Sequence, residues 1–334
     1  MVSATLRRVA RPNARHVLHA IALVVGAVAL AILIDRLGRD GFERVIFGTG
    51  RWFLVIAAID LVSVFCDAGG VYCFARPLAP VSFWRVFVAQ ASGLAINRLT
   101  PGNSLGEPIK VTMLMHHIPE AAAVSAVVMF NIASYVVAMS AIALGVIITV
   151  LSLDLPGHGD TVVLAATVVL LSLVCGLIVL ARRGALATIL RAARRLRLLS
   201  EARAARWTAR LAEIDGNIRQ FGNAATRRAL VFATASRVLN MSGALVILIA
   251  TGVDLTLPLI AGTLSVGILI TWISNVVPLG LGLADGGNYA LHGLLGAQPG
   301  LGLEFAMINR VRTVVLASMG LAVMALANAF DRKR

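Results

Sequence analysis

Apolar runs long enough to cross a bilayer dominate this chain. They extend from Val17 to Ile34, Trp52 to Phe74, Ala122 to Leu151, Thr161 to Ala181, Ala229 to Ala250 and Phe305 to Phe330. At about 1.5 Å per helical residue, each is of a length to traverse the ~30 Å hydrocarbon core of a membrane. Of 334 residues, 59% are apolar and 14% are charged, against roughly 25% charge in a soluble domain. A water-soluble core cannot hide that much apolar surface. A soluble enzyme, a disordered chain and a secreted disulfide scaffold are therefore excluded. Cys66, Cys73 and Cys175 lie in apolar stretches without metal or redox spacing. Arg7, Arg8, Arg11 and Arg15 precede the first run, which ends at Asp35-Arg36. Its length and the lack of a small-residue cleavage site mark it as an uncleaved span.

Two further apolar stretches are interrupted. Phe83 to Asn97 runs into Thr100-Pro101-Gly102-Asn103-Ser104 and resumes from Gly106 to Met115. Leu257 to Asn275 runs into Pro278-Leu279-Gly280-Leu281-Gly282 and resumes from Asp285 to Leu295. Each resumed limb spans about half a membrane as helix. Pro and Gly break the helical hydrogen bonds at each interruption. Non-helical backbone at membrane depth survives only where protein or water surrounds it. The expectation is an all-α polytopic membrane protein with six full spans and two re-entrant helical hairpins, over 83–118 and 257–297.

Loop charges set the orientation. The segment 182–228 carries twelve Arg against Glu201, Glu213 and Asp215, a net +9, and the C-terminus reads Asp331-Arg332-Lys333-Arg334. Basic loops stay cytoplasmic, so six spans place both termini inside. The first hairpin then enters from the cytoplasm and the second from outside. The chain divides into a first span and external loop (15–51), a first repeat (52–151), a linking span (161–181), the basic segment (182–228) and a second repeat (229–330). Within the basic segment Trp207, Leu211, Ile214, Ile218 and Phe221 share a helical face. That face suits either a helix lying on anionic lipid or a connector that fixes topology. The two repeats have opposite orientation, the plan of secondary transporters whose broken helices line a midplane site.

Candidate site residues follow from intramembrane charge, which is costly and usually faces a cavity. Glu107 and Asp285 open the short limbs, as gating or proton-coupling carboxylates or as local helix caps. Arg310 is a phosphate ligand or the structural partner of a carboxylate such as Asp285. Arg98 and Lys110 flank the first hairpin, capturing lipid phosphate or snorkelling to the interface. Asp60 and Asp67 share a face of the second span and are expected to pair with Arg237 or Arg310, as structural or coupling charges. Pro101, Gly102, Pro278, Gly280 and Gly282 form the breaks. Asn97, Asn131, Asn275 and Asn309 suit hydrogen bonds between helices. No metal, cofactor, nucleotide-binding loop or nucleic-acid partner is expected.

The stretch Asn97-Arg98-Leu99-Thr100-Pro101-Gly102-x-x-x-Gly106-Glu107-x-x-Lys110 resembles a signature of the lysylphosphatidylglycerol synthase transmembrane-domain family, also called flippase-like proteins. That signature reads N-x-x-x-P-G-x-x-G-E-x-x-R, so this chain has one extra residue before Gly106 and Lys110 in place of Arg. Val277 to Asp285 is similar to the family's second signature, P-G-G-x-G-x-x-E, with Asp for Glu. Arg310 matches a basic residue common in the last span. Phe130 to Ser134 is neutral where the family often has an Arg and an Asp. The soluble aminoacyl-transferring domain of full-length synthases has no counterpart in this sequence, so lysine transfer is not expected. The resemblance implies translocation of a phospholipid, isoprenoid-type lipid or lipid-linked head group in a bacterial inner membrane. Members are associated with hopanoid, glycolipid and lipid-linked sugar pathways. Lipids with an anionic head group, lipid-biosynthesis enzymes and a second copy of the chain are the candidate partners. Two alternatives stay open. Pro101-Gly102-Asn103-Ser104 resembles the start of a P-G-x-S-R-S stretch in polyprenyl-diphosphate phosphatases, and a non-catalytic scaffold of a lipid-modifying complex is the other.

Overall fold

The computed structural model describes residues 47–103, 105–152, 213–218, 222–274 and 282–331, with isolated positions between 24 and 31 and between 168 and 179. Apart from those isolated positions, the spans expected at Val17 to Ile34 and Thr161 to Ala181 lie outside the described residues, as do most of the basic segment and Asn275, Pro278 and Gly280. The described part is all-helical, as a lipid solvent demands, because helices satisfy every backbone group internally. The helices are α1 (Arg51–Ala75), α2 (Phe83–Leu99), α3 (Gly106–Leu114), α4 (Glu120–Leu151), α5 (Asn223–Ala250), α6 (Leu257–Ser274), α7 (Leu283–Leu294) and α8 (Pro299–Asp331). Proline sits where a missing N–H costs least: Pro77 and Pro80 follow α1, Pro119 precedes α4, and Pro299 opens α8.

Five of these helices are long and apolar enough to cross a membrane: α1, α4, α5, α6 and α8. The sequence reading treats Leu257 to Asn275 as one limb of a hairpin. Over its 18 residues, though, α6 has the length and composition of a span in its own right. Outward faces are apolar as well as inward ones. Leu54 is 74% exposed and Leu151 is 82% exposed, as expected where the surrounding solvent is hydrocarbon.

Both interrupted stretches fold back as close antiparallel pairs. In the first, Gly93 of α2 faces Gly106 and Lys110 of α3, and Asn97 faces Gly106. In the second, Gly262 of α6 faces Leu295, Gly267 faces Leu291, and Gly287 of α7 faces Ile270. The first turn-back passes through Pro101–Asn103, with φ of 67° at Gly102 and 51° at Asn103. Gly282 leads into α7 with φ of 79°. Glycine takes these left-handed values without the Cβ clash that other residues meet.

Packing between the two halves is reciprocal. α1 and α5 cross antiparallel, with Ser63 hydrogen-bonded to Ser236 at 2.9 Å and Gly69 against Phe232. Gly320 of α8 lies against Ala91 and Ala95 of α2, while Gly145 of α4 lies against Ala261 and Ser265 of α6. In both cases a glycine of a half's last helix receives a small i, i+4 pair from the other half's hairpin. Small residues allow such close approach where no hydrophobic effect drives helices together.

The core is divided by depth. Val71, Phe74, Ala229 and Ala233 belong to an apolar cluster at one end of the α1–α5 pair. Phe53, Ile56, Ile247 and Leu248 form a second at the other end. Between them α1 presents Asp60, Ser63 and Asp67, and α5 presents Ser236, Arg237 and Asn240. Ser63 is the central residue of α1, about 18 Å of helix rise from either end. The basic segment is described over 213–218 and 222–228, and in the first of these Ile214 and Ile218 pack on Ala121 and beside Val124 and Met129. These two side chains face protein rather than lipid. Their apolar surface is buried against the start of α4.

Candidate functional site

Polar residues from the middle of α1 and α5 meet the first hairpin, α4, α6 and α8 around a polar chamber. It consists of two adjoining cavities of about 450 and 350 Å³. Arg98, Asn97, Glu107, Tyr135, Arg237, Asn240 and Trp272 line both. The first also takes in Asp60, Asp67, Gly102 and Lys110, and the second takes in Thr263, Asn309 and Arg312.

Glu107 is the centre of one network. Its Oε1 accepts hydrogen bonds from Lys110 Nζ at 2.7 Å and Asn97 Nδ2 at 3.0 Å. Its Oε2 accepts from Asn131 Nδ2 at 2.7 Å. The Gly106 N–H donates to Asn97 Oδ1 at 2.6 Å, so a side chain of α2 caps α3. The shortness of this contact depends on two glycines. A Cβ at Gly106 would fall on the Gly93 carbonyl and the Asn97 side chain, and a Cβ at Gly93 would fall on Lys110. Lys110 is 5% exposed. It is therefore held in the wall by Glu107 and does not snorkel to the interface.

A second buried pair joins the halves. The guanidinium of Arg312 grips the Asp60 carboxylate through both Nε, at 2.7 Å, and Nη2. Asp60 is 2% exposed and Arg312 is 8% exposed. A Cβ at Gly243 would touch this guanidinium, so glycine there gives Arg312 its place on the wall. Asp67 is bordered by Ser236 and Gln90, with Lys110 and Arg237 as its charged neighbours. Asn240 bridges α5 to α1, donating to Ser63 Oγ at 2.7 Å. The Nε atoms of Arg98 and Arg237 are buried with no hydrogen-bond partner among the described residues. Tyr135, half exposed, and Trp272 meet edge-on at 6.0 Å beside the cavity.

Seven of the sequence-predicted site residues thus converge: Asp60, Asp67, Arg98, Gly102, Glu107, Lys110 and Arg237. Pro101 lies in the turn before Gly102. Asp285 and Arg310 stand apart from this wall. They pair with each other at 2.5 Å, and Asp285 Oδ2 also accepts the Gly282 N–H at 3.1 Å. Of the two roles open to Arg310, phosphate ligand or partner of a carboxylate such as Asp285, the structure shows the second contact. Asp60, expected to pair with Arg237 or Arg310, pairs with Arg312. Sequence reasoning missed Arg312 as a wall residue, and Gln90, Tyr135, Asn240 and Trp272 as well. Arg312 carried a visible signal, being an intramembrane charge. The others are uncharged and carried none.

A bundle of apolar helices closing on a charged mid-depth chamber defines a multi-pass membrane protein with a polar site inside the bilayer. The chain belongs to the lysylphosphatidylglycerol synthase TM region family, whose model matches residues 19–320. That places it among membrane domains associated with lipids. Comparison with curated proteins finds no match.

Proposed function

We propose that this protein is a transporter, and not an enzyme, that moves a lipid head group between leaflets through the chamber. The observation that carries the reading is the polar wall at the midpoint of α1 and α5, between two apolar clusters. A head group crossing a bilayer needs such a site at mid-depth, while its acyl chains stay in lipid. The surplus of arginine on the wall favours an anionic head group. Family membership adds lipid as the class of cargo.

The same reading makes each half an inverted repeat with a re-entrant hairpin. Its support is the reciprocal packing of α2 with α8 and α6 with α4, and the antiparallel α1–α5 crossing. With the basic 182–228 segment and both termini inside, the protein belongs in a bacterial cytoplasmic membrane. Access alternates as the Pro/Gly turns let the hairpin tips move against the rigid pairs.

The test is translocation of fluorescent phospholipid in vesicles containing the purified full-length protein. Wild type is expected to accelerate leaflet exchange over empty vesicles, and Glu107→Gln to slow it by on the order of tenfold or more. Exchange at the empty-vesicle rate with wild type, or an undiminished rate in Glu107→Gln, overturns the reading. Phosphate released from a polyprenyl diphosphate by the same preparation would move the protein to the phosphatase class instead.

A further inference from the structure

The chamber's charge balance narrows what it accepts, an inference that rests on the transport reading above. The described wall carries four cations, Arg98, Lys110, Arg237 and Arg312, and three carboxylates, Asp60, Asp67 and Glu107. Four against three leaves one positive charge. Two of the carboxylates are engaged in ion pairs, and the third has cations near it. Asp60 is held by Arg312 and Glu107 by Lys110, while Asp67 has Arg237 and Lys110 beside it. Arg98 and Arg237 are the cations outside an ion pair. Arg98 has around it Asp60, which Arg312 holds, Asp67 and the like charge of Arg312, whereas Arg237 has Asp67 without a like charge beside it. The Nε of each is buried without a hydrogen-bond partner among the described residues, although a guanidinium offers five donors in a fixed fork.

At mid-membrane an uncompensated charge of either sign is costly. A ligand of one negative charge closes the balance. A zwitterionic head group leaves the surplus in place and brings an ammonium for which no wall carboxylate is free. A doubly charged phosphomonoester or a diphosphate overshoots. A phosphodiester carries one negative charge and two non-bridging oxygens that match the arginine fork. We propose that the chamber selects a lipid whose head group is a phosphodiester of one net negative charge, with Arg98 as its anion anchor. Asn103, Ser134 and Tyr135, neutral wall residues, then face the uncharged part of the head group. Arg237 has Asp67 as its charged neighbour, and that carboxylate offsets its charge.

Binding of short-chain lipids to the purified full-length protein, read by native mass spectrometry at about pH 8, tests this. At that pH a phosphomonoester is mostly doubly charged, its second pKa being about 6. Dihexanoyl phosphatidylglycerol is the monoanion, dihexanoyl phosphatidic acid the dianion and dihexanoyl phosphatidylcholine the zwitterion. Dimethyl phosphate is a phosphodiester without acyl chains. Wild type is expected to prefer phosphatidylglycerol over both other lipids by on the order of tenfold, with dimethyl phosphate a weak competitor. Arg98→Gln removes that preference and Arg98→Lys restores most of it. Asp67→Asn raises the surplus from one to two and shifts the preference to phosphatidic acid. Because that variant gains a ligand, general unfolding cannot mimic the result. Wild-type protein that takes phosphatidylglycerol while neither Arg98→Gln nor Asp67→Asn changes the ranking overturns the inference and leaves the transport reading standing. Dimethyl phosphate competing on equal terms overturns the lipid as its source. Failure to bind or translocate any of the lipids overturns the transport reading, and this inference with it.

Discussion

In the first hairpin the short helix begins at Gly106, and Glu107 turns toward the chamber. In the second it begins at Leu283, and Asp285 turns back on its own N-terminus. The two segments look alike in sequence, a Pro/Gly break followed by a carboxylate in the first helical turn, where the helix dipole favours an anion. What separates them is the limb opposite. Asn97 supplies the acceptor for the Gly106 N–H, so Glu107 is free to gather Lys110, Asn97 and Asn131. Among the described residues, the second hairpin faces α7 with Gly267 and Ile270, which offer no side-chain acceptor. Asp285 takes that duty itself, and Arg310 neutralises it. One carboxylate becomes part of a binding wall because its neighbour has released it from capping. The other remains a cap.

The two arginines of α8 extend the contrast and give the largest expected effect. Arg312→Gln leaves Asp60 unpaired at 2% exposure and should destabilise the protein by about 3–5 kcal/mol. Thermal unfolding in detergent would measure it. Asp60→Leu with Arg312→Met should recover most of that loss, since an apolar pair of similar volume replaces the buried ions. A double variant no more stable than the single would mean that the pair contributes more than charge neutralisation.

The next effect contrasts the hairpins directly. In Gly106→Ala the new methyl meets the Gly93 carbonyl, which is backbone and cannot step aside. A loss of about 2–3 kcal/mol is expected, typical of overpacking. In Gly262→Ala the methyl meets the terminal carbons of Leu295, which can rotate away. The loss there should stay under about 1 kcal/mol. Equal losses would show that the second hairpin is as rigid as the first.

Much of this was legible in the chain. The apolar runs gave the membrane class, and the Pro/Gly breaks marked where one helix of each interrupted stretch ends and the next begins, because those signals are local. Intramembrane charge pointed to Asp60, Asp67, Arg98, Glu107 and Lys110, since burying ions is costly whatever the fold. Partner choice was not legible. Arg310 and Arg312 lie two residues apart, roughly 200° around a helix. Nothing in the sequence says which of those faces meets α1 and which meets α7. Asp60 and Arg312 are 252 positions apart, so their pairing follows from how α1 and α8 meet and from the space left by Gly243. Tyr135 and Trp272 were invisible for another reason. An aromatic residue in an apolar helix reads as lipid-facing or core until the neighbouring helices are placed.

Asp285→Asn should have the smallest effect, and it tests the comparison at its weakest point. The pair it breaks is partly exposed, with side-chain exposures of 20% for Arg310 and 27% for Asp285. Asparagine keeps an oxygen that can accept the Gly282 N–H, so the cap survives and mainly the charge is lost. A partly solvated ion pair of this kind is worth about 1 kcal/mol or less. The expected outcome is a slightly lower melting temperature with lipid exchange unchanged within about twofold, while Glu107→Gln, which leaves the buried Lys110 without its carboxylate, loses exchange and more stability than this variant. If Asp285→Asn stops exchange in a protein that melts like wild type, the second carboxylate belongs to the moving parts. Its pairing with Arg310 would then be one state of a gate, and the two hairpins would be alike in role as well as in sequence.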